Sequence, residues 1–593
     1  MDKTKEEFDW DLTSLFVDEK ERGNAIETFN QYIRDLKNFQ GKLNKQENIK
    51  KYYETKVEAC KLHIRIYAYA MFKYHQNMGD QENSKLYKDA VSLGVKYAES
   101  VSYAVPELIS NSMENLKKWA SNPEMAEYKR SLERIIKDKE HVLSQESEEL
   151  LASYSEVFGA VENAYEVFTT ADFTFEDVQN KSGENLKMSH GLYSKYLAGK
   201  DRVLRKNAFE TMYEPYKQNI HTIAELYLAR VKEVVITARI RKYKNTIDMA
   251  SLNDDSQEDV YYTLVDAVNK NLKLNHEYLN LKSKLLQNEF DDGKMHMYDV
   301  YRNTFEPENE SISYDEAKQI VLNALSIMGE KYITKIKEAM DNRWIDVYEK
   351  ENKHTGAYSM GVYGVHPFVL LNFVNSSRDI STIAHELGHS MHSYFADTNQ
   401  NILNASYTIM VAEVASTVNE ILLANYQIQH TDSKEKKAFL MNEQLDMMRA
   451  TLYRQTMFAE FEKEVHQKIE QHQNLAAEDL NQIYYQLVQK YFGDTTVCDE
   501  AIQYEWARIP HFYSNFYVYK YATGITSAIV IAKNIMDKKP GYVEKYIEML
   551  SKGGAEDSLD LLKSVGVDLT KTETYEIAFS YFKENLDNLK ELT

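Results

Sequence analysis

A backbone that can seldom turn sharply must fold as long rods, and this chain has 20 glycines and 7 prolines in 593 residues. Glycine supplies the left-handed conformations of tight turns and proline ends helices, so their scarcity predicts few loops and many extended helices. Hydrophobic periodicity agrees. From Val260 onward, Leu264, Val268 and Leu272 recur every four residues with Lys, Asn and Asp between them, the stripe of an amphipathic helix. Lys51–Tyr103, Met441–Glu470 and Glu556–Leu592 carry the same pattern, and no fixed-period repeat marks a solenoid. Two stretches depart from it. Phe173–Met188 alternates apolar and polar residues around Lys181-Ser182-Gly183, which predicts a hairpin. Lys353–Val374 carries three glycines and then Phe368–Val374, a β-rich run too short for a helix, which predicts a strand. The fold expected is mainly α, a large two-lobed helical body with a small β-sheet. A division near residue 200 fits, with an N-terminal helical lobe over 1–200 and a second helical lobe over 201–593, which Asp201 opens. No Pro- or Ser-rich linker marks that boundary, so a single helical body with two lobes fits about as well.

Charge narrows the function classes. The 71 Lys and Arg against 92 Asp and Glu give a net charge of −21. Such a surface gains nothing from counterion release on a polyanion, so neither nucleic acid nor an anionic membrane is the expected partner. Apolar residues make up 43% and charged residues 27%, enough core-forming surface to exclude global disorder. Cys60 and Cys498 allow at most one disulfide, which suits a reducing compartment. The opening MDKTKEEFDWDLTSLF has no continuous apolar core, and runs such as Ala528–Ala532 fall far short of the ~20 residues of a membrane span. The expectation is a soluble, cytoplasmic protein, in which the N-x-S/T sequons at Asn309 and Asn404 stay unused.

The chemistry concentrates in residues 381–395, STIAHELGHSMHSYF, where His385, Glu386 and His389 form an H-E-x-x-H pattern. On a helix, positions i and i+4 share a face, so both imidazoles can bind one Zn²⁺. Glu386 projects roughly 100° away from His385, beside the metal rather than onto it, where it can take a proton from a metal-activated water. Ile383, Leu387 and Met391 make an apolar stripe on the opposite face, so the helix is packed on one side and presents its histidines on the other. The bland alternative is a solvated or satisfied pair of histidines.

A catalytic zinc needs a third protein ligand. The extended H-E-x-x-H-x-x-G-x-x-H pattern fails, since position 392 is His and position 395 is Phe. Tyr407–Asn425 is an apolar helix interrupted by Glu413 and Glu420, seven residues apart and on one face. A carboxylate in such a helix is costly unless paired or metal-bound. Glu413, between Ala412 and Val414, is the expected ligand. Glu420 is placed to accept a hydrogen bond from a ligand imidazole, although pairing of both with Arg or Lys remains open. His392, one turn beyond His389, is expected to pack or to support a ligand. Zinc is the default for two His and one carboxylate, one ion per chain, with cobalt or manganese as alternatives.

At these residues the sequence resembles the thimet-oligopeptidase family of zinc peptidases, and within it the bacterial oligoendopeptidase F branch. The resemblance rests on His385-Glu-Leu-Gly-His-Ser-Met-His392 and Ala412-Glu-Val-Ala-Ser-Thr-Val-Asn-Glu420. Trp10-Asp-Leu-Thr-Ser-Leu-Phe16 and Arg508-Ile-Pro-His-Phe-Tyr513 extend it essentially end to end. It implies a mostly helical, prolate molecule split by a deep channel, the β-sheet near the active site, and hydrolysis of short peptides with large folded substrates excluded. It also implies His385, His389 and Glu413 as zinc ligands, Glu386 as general base, and a His and a Tyr from the 511–521 region as transition-state donors.

His511 and Tyr517 are the candidates for those donors. Tyr513, Tyr517 and Tyr521 run at i, i+4, i+8 and so would form one stripe, with Tyr513 and Tyr521 as substrate contacts; with 44 tyrosines in the chain, a core role for any one of them stays open. Gly356 and Tyr358 precede the Phe368–Val374 strand, whose edge could take up an extended peptide through main-chain hydrogen bonds; an ordinary small-sheet strand is the other reading. Two rival functions remain. A zinc carboxypeptidase or dipeptidase would need a cation for the substrate's free carboxylate, for which Arg454 or Arg508 would serve, and a non-catalytic peptide-binding protein would need neither. Substrate preference and oligomeric state are not encoded legibly.

Overall fold

The computed structural model describes residues 8–306 and 311–593; the first seven residues of the MDKTKEEFDWDLTSLF opening and the Asn309 sequon lie outside them. Helices dominate, and every strand is short. Side-chain caps set many helix starts. Asp18 accepts from the Glu21 amide to open Glu19–Lys37, and Asp80 accepts from the Glu82 and Asn83 amides to open Gln81–Val101. Within the periodic stretch that begins at Lys51, the chain breaks at residues 77–80 between the helices Gln46–Gln76 and Gln81–Val101. Val260, Leu264 and Val268 are buried on Glu258–Lys270, and Leu272 opens the next helix.

The chain divides into two compact units, each assembled from three segments. Unit 1 comprises residues 1–145, 309–426 and 531–567; unit 2 comprises 146–308, 427–530 and 568–593. This differs from a single division at residue 200, since residues on both sides of that point belong to unit 2. Two of the crossings fall inside the helices Ile409–His430 and Tyr519–Met536, so no flexible linker composition marks them.

Unit 1 holds a three-stranded sheet in which Phe368–Phe373 is central. It runs parallel to Ile345–Tyr348 and antiparallel to Tyr358–Met360, with Ser359 opposite Val369. The expected strand is present, but both its edges are paired. The two edge strands are Ile345–Tyr348 and Tyr358–Met360. Trp10 ties the N-terminal motif to this sheet, its indole N–H donating to the carbonyls of Trp344 at 3.0 Å and Val369 at 2.8 Å. Gly361 follows Tyr358–Met360 where that strand passes the Ser377–Asn399 helix. A Cβ there would lie 2.7 Å from Ser393 Cβ, which is why the position is glycine.

In unit 2 the expected hairpin is a single antiparallel pair, Val178–Gln179 with Asn185–Leu186. The Met441–Glu470 region is not one regular helix. Lys434–Met448 and Arg454–Glu470 are joined by a single turn of π-helix at Arg449–Tyr453. Here Arg449 pairs with Asp446 at 3.0 Å and Arg454 with Glu505 at 2.7 Å. Both cysteines are free thiols. Among the described residues no helix is long and apolar enough to cross a membrane.

Candidate metal centre

Two helices of unit 1 build the centre. Ser377–Asn399 carries the H-E-x-x-H residues, and Ile409–His430 carries the two glutamates. The apolar stripe is buried as expected, with Ile383, Leu387 and Met391 each at most 1% exposed. Burial wraps further round than the stripe alone implies, taking in Ile380, Ala384, Gly388 and Ser390.

Gly388 is the point of closest approach. A Cβ built there would lie 2.5 Å from Ser416 Cα and 2.6 Å from the Ala415 carbonyl oxygen, so only hydrogen fits between the helices. Asn419 then clamps them. Its amide donates to the Ala384 carbonyl at 3.0 Å and accepts from the Tyr332 hydroxyl at 3.0 Å, and all of these groups are buried. Gly388 and Asn419 fall inside the two motif stretches, but the motifs do not disclose these packing roles. A glycine inside a helix of a glycine-poor chain was the available signal for the first, and an amide in an otherwise apolar run the signal for the second.

The donor atoms converge. His385 Nε2 and His389 Nε2 are 3.2 Å apart. Glu413 Oε2 lies 3.5 Å from the first and 3.4 Å from the second. Ligands bound at 2.0–2.1 Å to a tetrahedral ion sit about 3.3–3.4 Å from one another, so the triangle already has the edge lengths of a zinc site. Three basic donor atoms held this close repel one another unless a cation sits among them, and this is the only such His/Cys/Asp/Glu group among the described residues. The residues therefore fit a divalent metal.

Neighbours set the state of each donor. His385 Nδ1 lies 3.1 Å from Glu420 Oε1, which fixes the proton on Nδ1 and turns the Nε2 lone pair to the triangle. Burial opposes protonation of His385, but Glu420 above all, with Glu386 and Glu413, raises its pKa above the ordinary value. His389 holds the Glu413 carboxyl down at about 2 against the effect of burial. The Ser416 hydroxyl donates to Glu413 Oε2 at 3.1 Å. The Glu413 side chain is 44% exposed, so the desolvation argument that singled it out is not what holds it; the histidines and Ser416 do. Glu386 is 6% exposed, and burial raises its pKa despite both histidines, the direction a proton acceptor requires. His392 is buried with its ring stacked 3.5 Å from Tyr407, clear of the triangle.

The remaining candidates divide. Gly356 is exposed with φ +80°, at the turn before the Tyr358–Met360 strand. Side chains alternate along that strand. Ser359 reaches the histidine helix through Ser390 at 2.8 Å, whereas Tyr358 points the other way and meets His75 Nδ1 at 2.9 Å. The Tyr358 ring is thus committed to packing, and only its main chain lies on the open edge.

In unit 2, Tyr513, Tyr517 and Tyr521 do not form one stripe. Tyr513 closes the 3-10 turn Pro510–Tyr513, Phe516 has φ +55°, and only Tyr521 lies on the helix that starts at Tyr519. The break turns Tyr513 inward, 2% exposed and stacked 4.2 Å from Tyr165, so it is core rather than a substrate contact. His511, Tyr517 and Tyr521 do cluster, with ring centroids 5.5–6.0 Å apart and Tyr521 Oη 3.5 Å from His511 Nε2. Burial, then the Arg454 charge, lowers the His511 pKa.

Comparison with known proteins gives the same direction. Residues 196–581 match the description "Peptidase family M3", and residues 107–175 match "Oligopeptidase F". The chain is 37% identical over 594 residues to oligopeptidase PepF of Bacillus subtilis, covering 100% of this chain and 88% of that one. The crystal structure of oligoendopeptidase-F from Enterococcus faecium is 32% identical, with TM-score 0.73 over 97% of this chain and 99% of that one. A crystal structure from Chlamydophila abortus superimposes with TM-score 0.95 at 32% identity, over 100% of this chain and 99% of that one.

Proposed function

The chain belongs to peptidase family M3, on its oligoendopeptidase F branch, and from that premise we propose a zinc-dependent endopeptidase that cuts internal bonds of short oligopeptides. The observation that carries the proposal is the triangle of His385 Nε2, His389 Nε2 and Glu413 Oε2, with edges of 3.2, 3.4 and 3.5 Å. His385, His389 and Glu413 would hold a divalent ion there, which would supply Lewis acidity toward a water and the scissile carbonyl.

The chain's own residues supply the rest. Glu386, its pKa raised by burial, takes the proton of the attacking water and passes it to the departing amide nitrogen. Glu420 holds the His385 tautomer. His511 and Tyr517 act as the donors to the developing oxyanion, a role supported by their clustering and by a His511 pKa that keeps the ring neutral near pH 7. The main chain of the Gly356–Met360 edge takes up the extended substrate, which suits broad side-chain tolerance.

The carboxypeptidase reading is less well supported, because both candidate anchors are engaged. Arg454 pairs with Glu505 at 2.7 Å, and Arg508 lies 3.9 Å from Glu505 and over the Tyr193 ring. Two unpaired thiols support a cytoplasmic location. The test is an internally quenched, end-capped peptide of about eight residues, long enough to fill subsites on both sides of the cut. Internal cuts that vanish with chelator and return with zinc are expected. Trimming of uncapped peptide alone would point to the carboxypeptidase, and silence on both with zinc bound would leave a binding protein.

A further inference from the structure

Unit 2 contains a buried carboxyl group that the reaction itself does not use. Glu462 lies on the Arg454–Glu470 helix with no exposed surface. Its Oε1 accepts the Phe516 backbone N–H at 2.9 Å, and its Oε2 has no hydrogen-bond partner. One turn on, His466 is equally buried, both ring nitrogens lack partners, and its ring lies 4.5 Å from that of Phe516. A buried acid beside an unpartnered histidine is poor stabilisation, because each polar atom left unsatisfied costs free energy. Something else must account for them.

Phe516 shows what that is. Its φ of +55° places a bulky, Cβ-bearing residue in the left-handed region, a conformation that persists only where the surroundings impose it. Phe516 is the residue before Tyr517, so its torsion aims everything that follows. The same segment is held at both ends. Arg230 Nε donates to the Tyr513 carbonyl at 2.9 Å, and Lys520 Nζ reaches Asp254 at 2.8 Å. The Phe516 ring is packed against Tyr261 at 5.6 Å. Glu462 is the hydrogen-bond acceptor at the turn itself.

We propose that Glu462 is a positioning residue: by holding the Phe516 amide it maintains the left-handed turn that sets Tyr517 in its cluster with His511 and Tyr521. This rests on the reading of Tyr517 as an oxyanion donor. The acceptor is what matters, not the charge. Burial pushes the Glu462 pKa up to about 8, with the Phe516 amide and Lys520 pulling it down, so the group is largely neutral near pH 7. An amide oxygen would then serve as well.

Four single variants and one double variant of the zinc-loaded full-length enzyme test this. Glu462→Gln keeps the acceptor and is expected to retain wild-type kcat and KM. Glu462→Ala removes it and is expected to lower kcat about ten- to hundredfold, the scale of a sub-ångström misplacement of a catalytic group, with KM and zinc content unchanged. Glu462→Asp, which retracts the acceptor by one methylene, serves where the alanine variant fails to fold and is expected to lower kcat likewise. Tyr517→Phe isolates the premise. If Glu462 acts through Tyr517, adding Glu462→Ala to Tyr517→Phe costs little more than Tyr517→Phe alone. Loss on Tyr517→Phe with wild-type kcat for folded Glu462→Ala or Glu462→Asp, or with additive losses in the double variant, overturns the positioning role and leaves the oxyanion reading standing. Wild-type kcat for Tyr517→Phe overturns both.

Discussion

Replacing Gly388 by Ala tests whether helix spacing sets the metal site. The added methyl would sit 2.5 Å from Ser416 Cα, 2.6 Å from the Ala415 carbonyl oxygen and 2.7 Å from the Ser416 amide nitrogen, all main-chain atoms. Ordinary contact begins near 3.4 Å, so the two helices must part locally by about 0.7–0.9 Å. Glu413 is on one helix and both histidines are on the other, and ligand distances tolerate only about 0.2 Å before a zinc site weakens. Alanine favours a helix over glycine by about 1 kcal/mol, which offsets part of the overpacking cost of about 1–3 kcal/mol. The protein should therefore fold with a modest loss of thermal stability. Zinc affinity should drop at least as far as when a supporting contact is lost, about 10- to 100-fold. Competition against a fluorescent chelator measures the affinity and circular dichroism the melting. Gly23→Ala is the control, since a Cβ there meets nothing within 4 Å, and it should leave affinity unchanged. If Gly388→Ala binds zinc as tightly as the parent, the spacing argument is wrong.

Three further outcomes are expected. Glu386→Gln should keep a full complement of zinc by elemental analysis while kcat falls by about 10²–10⁴; near-parental turnover would remove Glu386 from the mechanism. Tyr513→Phe should leave kcat/KM within about twofold and melting unchanged or slightly raised, because the hydroxyl it deletes is buried without a partner; a large loss of activity would return Tyr513 to the site. Glu462→Gln should alter how stability depends on pH. The folded pKa of Glu462, about 8, lies above its unfolded value near 4.5, so the folded state binds the proton more tightly. The parent's stability should then fall as pH rises from about 4.5 towards 8, by at most about 1.4 kcal/mol for each tenfold difference in proton affinity between the folded and unfolded states. In the glutamine variant that component is absent, so denaturant unfolding at pH 5 and pH 8.5 should show a smaller drop than in the parent.

What the sequence disclosed and what it withheld follow from the range of the interactions involved. His385 and His389 were legible as a pair because helical period alone puts them on one face, with Glu386 roughly 100° to the side, and the buried Ile383–Leu387–Met391 stripe fixes which face that is. Glu413 was legible as a polar interruption of an apolar helix, although its exposure shows that contrast, not burial, was the true signal. The failures are all non-local. Phe368–Phe373 has a composition that cannot say whether one or both edges are paired, and both are. Tyr513, Tyr517 and Tyr521 have helical spacing, but nothing in phenylalanine announces that Phe516 will leave the helical region. The contacts at that turn are long-range, among them a carboxyl group 54 residues away that accepts a hydrogen bond from the Phe516 amide. The two compact units differ from a division near residue 200 for the same reason, since the chain passes from one unit to the other within Ile409–His430 and Tyr519–Met536, where the helical pattern is unbroken. The metal triangle depends on both ranges at once. Its residue types are written locally, while its 3.2–3.5 Å edges are set by a missing side chain at Gly388 and by the Asn419 clamp. A chain with the same H-E-x-x-H pattern and a larger residue at 388 would read identically by that pattern and is expected to hold the three donor atoms farther apart.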